Sequence, residues 1–280
     1  MSASRLAYKV HRVPSHELVL LLCVLSRVCN DLSEETGELS LLIVGETRGH
    51  GRVINGTAAD IADFPWMAFV QILDNSGCGA SIIGSTWALT APHCVLAGQE
   101  MPDAYTTLRV GSSSRASGGV RVDVALLMKH ADFHTSTDDA DNDIGVIQAS
   151  EPFPLGSNIQ VVNLPADGYD APAGLPVTIS GWGVTATEFN PVYLQRADMH
   201  VLDRDTCRDM MADVATVTLG MVCAGDPTMA ICYGDSGSPL VYGDMQIGIA
   251  SWTRPGCIST TSVYASVGNF RTWIRNNTGV

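Results

Sequence analysis

Three short segments of the 280-residue chain carry side chains that could cooperate in nucleophilic chemistry. They are LTAPHCV, with His93 beside Cys94; DNDIGVI, with Asp143 leading into an apolar run; and GDSGSP, with Ser236 in a glycine-flanked turn. A hydroxyl is a poor nucleophile at neutral pH unless an adjacent imidazole takes its proton. That imidazole in turn needs a carboxylate to fix its tautomer and balance the charge it acquires. Each segment alone has a bland reading: a core or surface histidine, an aspartate that opens a turn, a serine in a loop. Their succession in the order His, Asp, Ser within one β-rich stretch is what points to acyl-transfer chemistry.

Elements able to bring such distant residues together are legible in outline. With 46% hydrophobic, 16% charged and 6% aromatic residues, the chain suits one large or two modest globular domains and is too apolar for disorder. Twenty-seven glycines and 13 prolines, spread without a period, exclude collagen and simple repeats and favour many short elements joined by turns. From Val53 onward, β-rich runs such as VINGT, WMAFVQIL, VDVALLM, IGVIQA, PVTISGWG and QIGIASW alternate with Gly, Pro, Asp and Ser clusters. That alternation is the signature of closed or sandwiched antiparallel sheets, so the fold class is all-β. Helical spacing occurs only at Val267–Asn276, with Phe270, Trp273 and Ile274 on one face, and over a turn near Asp205–Met211.

The N-terminal region and the cysteines place the chain in the secretory pathway. Arg5, Lys9 and Arg12 precede the apolar run LVLLLCVL at 18–25, and small residues sit at Val24 and Ser26, which predicts a signal peptide over 1–26. Eight apolar residues are too few to span about 30 Å of hydrocarbon, so no membrane anchor is expected. The composition shifts at Arg52, from a stretch at 27–52 that begins polar and acidic to the β-rich 53–280. Cys23 and Cys29 lie in the first two segments, leaving Cys78, Cys94, Cys207, Cys223, Cys232 and Cys257 as an even framework for three disulfides, with fifteen connectivities open. No C-x-x-C or H-E-x-x-H motif is present, so neither a metal nor another cofactor is expected. A net charge of −13 argues against a nucleic-acid partner, since binding a polyanion requires clustered cations.

Over residues 53–280 the chain resembles the trypsin, chymotrypsin and elastase family of serine endopeptidases. The matching segments are RVING at 52–56, FPWMAFV at 64–70, TAPHC at 90–94, KHADF at 129–133, DNDIGV at 141–146, SGWG at 180–183, VCAG at 222–225, GDSGSP at 234–239, SW at 251–252 and VYASV at 263–267. The resemblance implies two six-stranded antiparallel β-barrels with the active site between them and a C-terminal α-helix. It implies disulfides Cys78–Cys94, Cys207–Cys223 and Cys232–Cys257. It also implies His93 as base, Asp143 as its orienting carboxylate, Ser236 as nucleophile, and the backbone N–H groups of Gly234 and Ser236 as oxyanion donors. Ser251 is expected to hydrogen-bond Asp143. The resemblance further implies an activation propeptide over 27–52 followed by a serine protease domain over 53–280. Cleavage after Arg52 is expected to free the Val53 amine to pair with Asp235.

Specificity and partners follow from the same alignment of motifs. Ala230 stands where trypsin-like pockets place an aspartate, Ile231 adds apolar surface, and Thr253 and Ser262 stand where wide pockets have glycine. With Ser251 and Trp252 these residues predict an elastase-like pocket for small uncharged P1 residues, with larger apolar P1 as second choice. The expected partners are protein or peptide substrates, a separate trypsin-like activating protease and protein inhibitors, for a secreted monomer. Pro92 departs from the usual alanine and Ser238 from the usual glycine, and neither removes a catalytic group. The loop after Gly111 lacks the glutamates that bind calcium in many relatives. Asp138, Asp139 and Asp141 cluster before Asp143, where they read as a solvated loop or as an attractor for basic substrate residues. Sequons at Asn55 and Asn276 are candidate glycosylation sites, with Asn276 favoured because Asn55 adjoins an N-terminus that must become buried. A different class of function, a catalytically weak homologue serving as a binding or regulatory module, would share every one of these motifs.

Overall fold

Thirteen strands and two helices are built from these runs in the computed structural model, which describes residues 56–72, 76–94, 106–133, 141–257 and 259–280. The expected signal and propeptide, Cys23, Cys29, Arg52, Val53, Asn55, Asp138 and Asp139 lie outside the described residues.

The first barrel is closed by β2 (Met67–Ile72), β3 (Ser76–Ile82), β4 (Trp87–Thr90), β7 (Gly145–Ala149), β6 (Val120–Lys129) and β5 (Thr106–Val110), each antiparallel to its neighbour. The second runs β8 (Pro176–Gly181), β9 (Gln195–Val201), β10 (Met221–Gly225), β13 (Thr261–Ser266), β12 (Met245–Thr253) and β11 (Pro239–Tyr242), and β11 pairs back onto β8 to close it. The short β1 (Thr57–Ala58) adds to the edge of β9. Closure removes the unpaired strand edges that an open sheet would expose. Two six-stranded antiparallel barrels are thus the architecture expected from the sequence.

Inward positions carry the apolar residues. Both faces of β2 are buried, Met67, Ala68, Phe69 and Val70 sharing one cluster with Leu89, Leu108, Ile147 and Ile249 of β12, while Ile179, Met199, Leu240 and Tyr264 form the core of the second barrel. Truncating a fully buried leucine such as Leu89 or Leu240 to alanine costs about 2–5 kcal/mol in comparable cores. α1 (Arg204–Met211) is capped by Asp203, whose side chain accepts the N–H of Thr206, and it buries Cys207 and Met211. α2 (Arg271–Thr278) follows the second barrel yet packs on the first, burying Phe270 and Ile274 in the first barrel's core beside Trp273. It starts at Arg271, because Val267–Phe270 form a turn that leads into it. Three disulfides pair Cys78 with Cys94, Cys207 with Cys223 and Cys232 with Cys257, as the resemblance implied.

Candidate active site

Antiparallel pairing of β4 with β7 places Thr90 opposite Gly145. The chain leaving β4 and the chain entering β7 therefore sit at one end of the first barrel, and His93 and Asp143 come off that end. Pro92 occupies the first helical position of the turn at 92–94, where its missing N–H has no partner to lose. Cys94, disulfide-bonded to Cys78 on β3, anchors the same turn. Asp143 is presented by a tight local fold: Ile144 N–H donates to Asn142 O at 2.7 Å, and Asn142 takes φ 56°. Asparagine tolerates this left-handed conformation better than most residues, which gives a physical reason for the Asn in DNDI.

The carboxylate of Asp143 is 4% exposed. It accepts from His93 Nδ1 at 3.1 and 3.2 Å and from Ser251 Oγ at 2.5 Å. With Nδ1 donating to the carboxylate, Nε2 is the ring nitrogen left to accept a proton. Burial alone would lower the imidazole's affinity for protons. The charge and hydrogen bond of Asp143 outweigh it, so the His93 pKa is raised above its usual 6.5. Ser251 reaches Asp143 because β12 slips register against β13 between Ala250 and Trp252. The bulge at this step re-aims the Ser251 side chain toward the first barrel.

Ser236 comes from the second barrel. Asp235 N–H donates to Cys232 O and Ser238 N–H to Asp235 O, closing two successive turns. Their third residues, Gly234 (φ 94°) and Gly237 (φ 78°), have the positive φ that a type II turn requires there. At Gly237 a Cβ would also lie 2.2 Å from Thr90 Oγ1 and 2.3 Å from Gly79 O, so glycine is enforced by the close approach of the two barrels. Gly237 N–H is held by Ala250 O, and Ser236 O accepts from Gly79 N–H at 2.8 Å. Among the described residues, nothing accepts the N–H groups of Gly234 and Ser236, and no hydrogen bond joins the Ser236 hydroxyl to His93. Catalytic contacts of this kind commonly tighten only with substrate bound.

Beneath the turn, Asp235 is 2% exposed and accepts N–H groups from Gly183 (2.9 Å) and Cys232 (3.0 Å). Burial pushes its carboxyl up to about 7, the two N–H donors only partly opposing the shift.

Beside Ser236 lies a cleft of ≈ 210 Å³ whose walls include Ile231, Ser251, Trp252 and Thr253. Ala230 and Ser262, expected in the same pocket, are fully buried behind it. Thr253 and Ser262 face each other across the β12–β13 pairing. Ser262 Oγ accepts the N–H of Ile231 at 3.0 Å, and Thr253 Oγ1 donates to Thr261 O at 2.9 Å, so both side chains are fixed. Tyr233, 61% exposed, and Arg254 also line the cleft. Sequence reasoning missed both, although the place of Tyr233 between Cys232 and Gly234 is a signal that could have found it. Asp141 is committed to structure, its Oδ1 accepting from Asn142 N–H and Thr218 Oγ1. Asn276 is exposed in the last turn of α2.

The Trypsin family model matches residues 53–274. Among curated relatives, the chain is 33% identical over 232 residues to trypsin delta of Drosophila erecta, covering 81% of this chain and 88% of the relative. It is 31% identical to a trypsin of Phaedon cochleariae, covering 84% and 92%. Among solved structures it is similar to neuropsin of mouse brain (28% identity, TM-score 0.70, 80% and 99% of the two chains) and to HL collagenase (28%, 0.71, 81% and 99%). A further similar structure is an inactivated protease paralogue of the scabies mite (27%, 0.72, 80% and 96%). The closed pair of barrels and this family match lead to one conclusion: the chain belongs to the trypsin family and is a serine endopeptidase.

Proposed function

We infer that this endopeptidase is a secreted zymogen that cleaves after small uncharged P1 residues through His93, Asp143 and Ser236. Ser236 Oγ attacks the scissile carbonyl while His93 Nε2 takes its proton, and the imidazolium, held by Asp143, then protonates the leaving amine. The N–H groups of Gly234 and Ser236 receive the developing oxyanion. The observation that carries this assignment is the part-buried His93–Asp143–Ser251 hydrogen-bond chain, whose Ser251 lines the same cleft as Ser236.

The P1 preference rests on the residues around that cleft. Ala230 offers no carboxylate, so a buried Arg or Lys would be left unpaired, at a cost of several kcal/mol. The names of the trypsin relatives therefore do not carry their specificity to this chain. Thr253 and Ser262, locked by hydrogen bonds, leave room for Ala, Val or Thr.

Activation is assigned to cleavage after Arg52. The freed Val53 amine then pairs with Asp235, a carboxylate that burial otherwise drives toward protonation. Breaking such a pair costs roughly 3–5 kcal/mol, which leaves the competent conformation of the uncleaved chain scarcely populated. A pocket without a carboxylate rejects arginine, so the activator is a separate trypsin-like protease. The mature enzyme acts as a monomer on protein substrates outside the cell, is open to protein inhibitors, and carries glycan at Asn276. Its exposure supports that modification.

Profiling of a peptide library with the trypsin-treated protein tests this reading. Ala-Ala-Pro-Val and Ala-Ala-Pro-Ala substrates are expected to be cut faster than their Arg or Lys counterparts. Faster cleavage after Arg would overturn the pocket assignment, and no cleavage of any peptide would favour a binding or regulatory module.

A further inference from the structure

Two buried polar groups of the nucleophile turn take no part in the proton transfers. One is the Asp235 carboxylate, which accepts two N–H groups and forms no ion pair among the described residues. The other is the hydroxyl of Ser238, a side chain with no exposure, whose Oγ has no hydrogen-bond partner. The 2.9 Å turn hydrogen bond from Ser238 N–H to Asp235 O ties the two residues together. Both side chains crowd one face of Gly181. The position its Cβ would take lies 2.5 Å from Asp235 Oδ1 and 2.8 Å from Ser238 Oγ.

A buried hydroxyl without a partner is costly, and the acceptors around Ser238 each already hold one donor, the Asp235 carboxylate being the charged one and so the stronger. Gly79 N–H donates to Ser236 O, Gly79 O accepts from Thr90 Oγ1, and Gly181 is paired with Gln195 in the β8–β9 ladder. Asp235 Oδ1 accepts a single N–H, and a carboxylate oxygen has room for a second donor. A change of χ1 between staggered wells is the movement such a bond would require.

We propose that Ser238 is a positioning residue whose hydroxyl donates to the Asp235 carboxylate in the reactive conformation, sharing with the Val53 ammonium the task of holding that charge beneath the oxyanion donors. The proposal rests on the reading of Asp235 as the activation partner. Ser238 acts through Asp235 and touches neither substrate nor triad. Among the described residues, Tyr264 of β13 is the titratable side chain that feels the Asp235 charge. Burial holds its phenol above the ordinary range, so it adds nothing to the alkaline limb of activity, whose acid counterpart belongs to His93.

The test compares Ser238→Ala, which keeps the Cβ, with Ser238→Gly, which removes it. In the Arg52-cleaved enzyme both substitutions are expected to lower kcat about 3–10-fold with KM nearly unchanged. Both should move the alkaline limb of activity down by about half to one pH unit. In the uncleaved chain carrying Ser236→Ala, carbon-13 NMR should show the Asp235 carboxyl titrating at higher pH once Ser238→Ala is added, because a donor to the charged form has been lost. Wild-type kinetics in Ser238→Ala, with or without impairment in Ser238→Gly, would reduce the side chain to packing and overturn the proposal. If the wild-type protein hydrolyses no peptide, the protease reading fails instead. The NMR titration then decides alone, an unchanged Asp235 midpoint overturning the role of Ser238.

Discussion

Asp143 and Asp235 are both buried carboxylates of the same active site, 4% and 2% exposed, yet their surroundings differ. Asp143 faces an imidazole that can become a cation and receives the hydroxyl of Ser251. Asp235 receives only two backbone N–H groups, and burial pushes its carboxyl up to about 7. The first site is assembled by the fold, the β4–β7 register, the Cys78–Cys94 disulfide, the turn at Asn142 and the β12 bulge bringing its partners together. The second holds a charge that the described residues do not neutralise. The lesson is that the fold itself supplies the partners of Asp143, whereas the described residues give Asp235 two N–H donors and no counter-charge.

Substitutions rank this contrast by size. Ser236→Ala or His93→Ala should lower kcat by about 10⁵-fold or more with little change in Tm, because each removes a reacting group rather than a core contact. Asp143→Asn should cost about 10⁴-fold by favouring the wrong imidazole tautomer. Asp235→Asn should cost less, about 10²–10³-fold, and should make cleavage at Arg52 kinetically silent, since the pair that cleavage creates is gone. Asp143→Asn should leave cleavage dependence intact. Equal losses in these two variants, or full activation of Asp235→Asn by cleavage, would erase the distinction.

Stability against pH sharpens the same contrast in the uncleaved chain. A carboxyl whose folded pKa is raised favours the fold at low pH. Its contribution is complete below about 4 and is lost as pH rises through about 7, amounting to at most about 4 kcal/mol. Chemical denaturation of the uncleaved chain at pH 4 to 8 should show this decline, and Asp235→Asn should flatten it. His93 governs the acid side of catalysis. Its raised pKa places the fall in kcat/KM above pH 6.5, because only the neutral imidazole accepts the serine proton. Ser251→Ala is the smallest effect, about 3–10-fold in kcat, because the imidazole contact with Asp143 survives it.

What could be read from the sequence follows the same division. WMAFVQIL and PVTISGWG announce β2 and β8 by apolar content, and the His, Asp, Ser order announces the chemistry. β3 is harder to read because SGCGASI has little apolar periodicity. Its glycines answer to tertiary contacts, a Gly79 Cβ lying 2.0 Å from Ser238 Oγ. The role of Ser251 depends on a bulge that leaves no local mark. Ser238 read as a tolerated small side chain, and only the barrel interface reveals that its hydroxyl is buried without a partner.

The most direct measurement is peptide mapping by mass spectrometry after exposure to a fluorophosphonate, before and after trypsin cleaves at Arg52. The account predicts an adduct on Ser236 that forms rapidly in the cleaved chain and scarcely in the uncleaved one, with His93→Ala abolishing it in both. No adduct on Ser236 after cleavage, or equal labelling without cleavage, would contradict it.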